Sequence, residues 1–242
     1  MLNFNDFFKN LDDQLEVMWQ AILTQSRFTQ AILHGDIDKT LYAIYMIETF
    51  HYTAHNARNQ ALVGVRENPS PVYTKFCFEH AAEEVGHEKM ALHDLRSIDV
   101  ITHDTVIPKP LPETETLIAY LYWVAAHGNP LRRLGYSYWA ENCYHYINPL
   151  IEKLRSTLKL EDSQMTFFIA HSSIDAEHFD EIKKIIQRTC NTQDDLADIT
   201  NVMETTLKLT SKMLEAVFNE YAKLQAGTST RYSFLKNTAV SA

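Results

Sequence analysis

Glycine and proline are scarce in this chain, 6 and 7 of 242 residues. Long stretches hold neither, which argues against a turn-rich β fold and for long helices. Cysteine is scarcer still. Cys77, Cys143 and Cys190 are odd in number, far apart and form no C-x-x-C pair, so neither a disulfide framework nor a thiolate zinc site is expected. That usage fits a reducing, cytoplasmic compartment. No run of about 18 apolar residues is present, so no transmembrane helix is expected. The opening Met1-Leu2-Asn3-Phe4-Asn5-Asp6 lacks the basic and apolar regions of a signal peptide. Positive charge is also short. Lys and Arg number 22 against 31 Asp and Glu, a formal net charge of −9, which leaves no basic face for nucleic acid and no polybasic patch for a membrane.

What the chain does hold is apolar residues, 45 % of the total, with 12 Phe, 12 Tyr and 11 His. The length suits one compact domain. Apolar spacing predicts about seven helices: roughly 4–33, 38–65, 72–98, 113–127, 131–158, 164–189 and 192–224. His34-Gly35-Asp36 ends the first, Asn68-Pro69-Ser70-Pro71 the second, and a loop over 99–112 with Pro108, Pro110 and Pro112 follows the third. The expectation is an all-α, single-domain bundle over 1–226, followed by a loosely ordered Ser/Thr-rich tail over 227–242. Such bundles build metal and ligand sites from side chains on facing helices.

Three constellations stand out. On the second helix Glu48 and His55 are seven residues apart, nearly two turns, so they share a face with His51 between them. On the sixth, His171, Asp175 and His178 fall at i, i+4 and i+7, one stripe of two imidazoles and a carboxylate. On the fifth, Glu141 lies among Trp139, Ala140, Cys143, Tyr144 and Tyr146, costly company for an unpaired carboxylate. Each has a bland reading. A Glu and a His at that spacing usually mark a solvated face, the His/Asp stripe could be a salt-bridge ladder, and Glu141 could pair with Arg132 or Arg133. Together they supply three imidazoles and three carboxylates, about what two metal ions need.

This pattern resembles the haem-oxygenase-like di-iron oxidases and oxygenases, which share the fold of haem oxygenase and of the TenA (thiaminase II) and PqqC-like proteins but bind no haem. Their ligands follow Glu-x6-His on the first core helix, a Glu on the second, and His-x3-Asp-x2-His on the third. Here Glu48-x6-His55, Glu141 and His171-x3-Asp175-x2-His178 stand in that order. The resemblance implies two Fe ions, with a Mn/Fe pair accepting the same donors. Glu48, His55 and His171 would hold one and Glu141, Asp175 and His178 the other. It further implies dioxygen as co-substrate and a small organic substrate, bound among Phe50, Tyr52, Trp139 and Tyr144. A homodimer is compatible with the fold.

Other readings stay open. Tyr52, Tyr144 and Tyr146 could orient the imidazoles. The third helix carries Glu84-x-x-His87, and Glu-x-x-His pairs mark ferritin-like di-iron bundles, which would recruit Glu48, His51, Glu84, His87 and Glu141. A metal-independent, TenA-like hydrolase would use Cys143 as nucleophile with Glu204 or Glu215. Haem ligation by His34 or His51 is the third rival, but Gly135 stands alone where haem oxygenases have a glycine-rich helix. A non-catalytic binding protein is the last.

Overall fold

The computed structural model describes residues 2–66 and 70–235, and for 173–177 the backbone alone. Every regular element among them is helical. The seven expected segments are present, but four are broken, so eleven α-helices result. The first becomes α1 (Phe4–Gln25) and α2 (Arg27–His34), the second α3 (Lys39–Thr53) and α4 (Asn56–Gly64), the third α5 (Pro71–Glu83) and α6 (Glu88–Ser97). Next comes α7 (Pro112–Ala126) unbroken, then α8 (Leu134–Ala140) and α9 (Cys143–Leu158), then α10 (Thr166–Thr189) and α11 (Gln193–Gln225).

Local chemistry sets these ends. Side chains of Asn3, Asp38, Ser70 and Thr192 accept from backbone N–H groups at the starts of α1, α3, α5 and α11. Pro71 occupies the first turn of α5, where its missing N–H costs nothing. Gly35, at φ +78°, closes α2. Of the break read at residues 68–71, Asn68 and Pro69 lie outside the described residues.

The long α11 packs against α1, α2, α3, α7 and α8. It approaches α8 so closely that a Cβ on Gly135 would stand 2.1 Å from the carbonyl oxygen of Ile199. The lone glycine thus serves helix packing. The 99–112 loop is pinned to α3: Leu111 N–H donates to Glu48 Oε2 at 2.9 Å and His51 Nε2 donates to the Pro108 carbonyl at 2.8 Å.

The tail departs from expectation. Tyr232 and Leu235 are fully buried, and the Tyr232 hydroxyl donates to Glu48 Oε1 at 2.5 Å. Residues through 235 therefore belong to the packed body, because an aromatic ring and a buried acceptor outweigh a polar composition. The remainder, 236–242, lies outside the described residues. No helix among the described residues is long and apolar enough to cross a membrane.

Candidate metal centre

The breaks in the helices position the polar core. At the α5–α6 junction the chain turns through Glu84, Val85, Gly86 and His87, with Gly86 at φ +98°, a conformation that favours glycine. At the α8–α9 junction Glu141 and Asn142 interrupt the helical run. Both junctions face α10, which packs on α5, α8 and α6. Asp94 of α6 fixes the start of α10. It is buried and accepts from Thr166 N at 2.9 Å, Thr166 Oγ1 at 2.6 Å and Phe167 N at 3.0 Å.

Two clusters result among the described residues. His80, Glu141 and His178 form the first, and Glu84, His87 and His171 the second. Within each, one donor atom from every residue lies within 4.8 Å of the others. In the first, Glu141 meets His80 Nε2 at 3.2 Å and His178 Nδ1 at 3.3 Å, while His178 Nε2 stands 3.3 Å from Glu83. In the second, His87 Nδ1 stands 3.4 Å from Glu84, too poorly aligned for a hydrogen bond. The rings of His87 and His171 sit edge to face at 5.0 Å. His171 Nδ1 lies 2.6 Å from the Phe167 carbonyl. A carbonyl can only accept, so this nitrogen carries the proton, and Nε2 is the nitrogen left for a metal.

Electrostatics mark the clusters as coupled. Burial pushes the Glu141 carboxyl up, but His178 and His80 outweigh it and hold it down to about 2. The hydrogen bond to Glu141 raises His178 to about 9, against the opposing effect of burial. Burial also raises Glu84, and His87 and His80 bring it below its ordinary value. Glu84 is further held by Asn56, whose amide donates to Oε2 at 2.9 Å. The Asn56 oxygen in turn accepts from Arg133 at 2.9 Å. Arg133 is fully buried and donates from its other two nitrogens to Asn59 and Ser137, so a cation desolvated inside the bundle is linked through one amide to a buried carboxylate.

The expected ligands are thus divided. Glu141, His171 and His178 come together, but Glu48 and His55 join neither cluster. Glu48 is spent on Tyr232 and Leu111, and His55 Nδ1 lies 3.0 Å from the Tyr122 hydroxyl. The Asp175 side chain lies outside the described residues. Glu84 and His87, expected only as alternatives, enter the centre. His51, the other alternative, is held by Pro108. His80 was missed altogether, although His80-x6-His87 repeats the spacing of Glu48-x6-His55. Spacing shows which residues share a helical face, not which face meets the other helices.

A cavity of ≈ 90 Å³ adjoins the centre, lined by Glu84, Glu141 and His171 together with Tyr52, Trp139 and Tyr144. Phe50, expected there, is not on its wall. Cys143 is, but Glu204 and Glu215, the acids a Cys-dependent hydrolase would need, are not; they engage Lys208 and Arg27.

Comparison with known proteins bears on family and fold. The family model for iron-containing redox enzymes matches residues 43–211. Among solved structures, a domain of unknown function with a haem-oxygenase-like fold from Shewanella denitrificans is 52 % identical, with a TM-score of 0.89 over 92 % of this chain and 96 % of that one. A TenA homologue from P. horikoshii shares the fold at 16 % identity, TM-score 0.71, over 88 % of this chain and 98 % of its own. A CADD-like protein of unknown function from Nostoc punctiforme does so at 15 % identity, TM-score 0.69, over 90 % and 97 %. No curated protein matches. The chain belongs to the family of iron-containing redox enzymes, on the haem-oxygenase-like fold.

Proposed function

We propose that the protein is a non-haem di-iron oxidase or oxygenase that uses dioxygen to oxidise a small organic molecule. The observation that carries this is the pair of three-donor clusters, His80/Glu141/His178 and Glu84/His87/His171, beside one cavity. Mixed imidazole and carboxylate donors suit iron, and equally a Mn/Fe pair. The residues fit such ions on a second count. His87 Nδ1 is buried, makes no aligned hydrogen bond and stands 3.4 Å from the buried Glu84 carboxylate, an arrangement that a bound cation would reconcile. Asp175, by its spacing from His171 and His178, is a further proposed ligand.

Reduced iron held there would supply the electrons that dioxygen reduction requires. The chain's own residues prepare the place. Glu84 and Glu141 offset cationic charge inside the bundle. The Phe167 carbonyl orients His171, and Asn56 with Arg133 orients Glu84, as outer partners do for metal ligands. Tyr136, Trp139 and Phe168 give the cavity beside the centre an aromatic wall.

Anaerobic loading with Fe(II), followed by metal analysis, tests the reading. The expected result is about two irons per chain, with dioxygen consumption and a transient visible band on exposure to air. Glu141→Ala and His178→Ala should each lose iron, while Cys143→Ala keeps both iron and dioxygen consumption. Iron uptake indifferent to Glu141 and His178 would overturn the assignment; an activity lost with Cys143 alone would favour the hydrolase.

A further inference from the structure

Beyond the cavity at the metal centre lies a second one of ≈ 100 Å³. Tyr45, Tyr52, Trp139, Cys143, Ile147 and Phe168 line both, so the two adjoin, and a molecule reaching both would pass among these side chains. The near cavity carries the carboxylates and His171, with the polar side chains of Asn56 and Thr53 close by. The far one is closed by Leu150, Leu154, Met213 and Leu214, and none of its lining residues is charged. Its two threonines have already committed their hydroxyls: Thr29 donates to the Ile22 carbonyl at 2.8 Å and Thr210 to the Thr206 carbonyl at 3.0 Å.

From this arrangement we infer that the substrate is an amphipathic molecule whose polar end lies at the metal centre and whose apolar tail fills the far cavity. The inference rests on the reading of the two clusters as the reactive centre, which sets the orientation. A charged or heavily hydroxylated tail would surrender its hydration to a chamber with no charged side chain, where the unpartnered Trp19 indole N–H is a single donor. An alkyl or aryl tail loses nothing there and gains from leaving water. A sugar or a phosphorylated chain is therefore a poor occupant of the far cavity. Leu154 and Met213 line the far cavity and not the near one, so a larger side chain at either shortens the tail that fits.

The test uses a series of linear 1-alkanols, whose neutral head does not depend on a metal for binding. Trp19 and Trp139 both line the far cavity, so their fluorescence reports occupancy. Affinity is measured in metal-free and in iron-loaded full-length protein. It should rise roughly fourfold per added methylene, as burial of CH₂ groups predicts, and then stop rising once the cavity is full. Phenylalkanols run in parallel decide between an alkyl and an aryl tail. Leu154→Phe should move the plateau to shorter chains without changing iron content, and Met213→Phe serves the same purpose should the first variant fail to fold. Affinity flat with chain length, or a plateau untouched by both filled variants, would overturn the inference. If chain-length dependence holds but no iron binds, the metal reading falls and the apolar chamber stands.

Discussion

Glu141 and His178 show how a single contact carries a signature in pH. In metal-free protein Glu141 is held from its ordinary 4.5 to about 2. A depressed carboxyl contributes stability that is present above 4.5 and lost as pH falls toward 2. His178 is raised from its ordinary 6.5 to about 9. Its contribution is complete below 6.5 and disappears as pH rises through 9. The pair therefore stabilises the metal-free fold most between about pH 4.5 and 6.5. Thermal unfolding of metal-free protein should show Tm falling from pH 6.5 to 9, and Glu141→Gln should flatten that slope. A slope unchanged in the variant would show that other groups govern it. Because a metal must displace the His178 proton, ferrous affinity should climb over the same range.

At the scale of elements, the site is made by interruptions. An unbroken α5–α6 segment would carry Glu84 and His87 along one continuous helix; the turn at Gly86 separates them from that course. The complementary half comes from α10, whose start is capped across space by Asp94. Removing a capping acceptor costs about 1–2 kcal/mol. Asp94→Ala should lower stability by about that amount in denaturant titration. It should also weaken iron retention under chelator challenge, because His171 and His178 lie on the helix it anchors. Stability lost with retention intact would separate the cap from the centre.

For the molecule as a whole, the decisive test concerns two glutamates that look alike in sequence. Glu48 is fully buried and joins α3 to the 99–112 loop and to Tyr232 near the end of the described chain. Glu141 is buried between imidazoles of α5 and α10. Tyr232→Phe would leave the Glu48 carboxylate short of one donor, at a cost of about 1–3 kcal/mol. Its unfolding midpoint should drop while iron content stays at the wild-type level, whereas Glu141→Gln should lose iron. If Tyr232→Phe emptied the centre, Glu48 would regain the ligand role its spacing suggests.

The amino-acid sequence by itself determined the helical class, the ends of most segments and the His171/His178 stripe, because capping, proline placement and helical period act over a few residues. It also marked Glu141, whose aromatic neighbours made an unpaired carboxylate implausible. It could not choose between Glu48-x6-His55 and His80-x6-His87, which present equivalent faces on different helices. Nor could it show that Tyr232 docks, since that depends on a carboxylate 184 positions away. Only the packing of α5, α8 and α10 decided which donors meet, because convergence of distant side chains is a property of how helices cross and where they break.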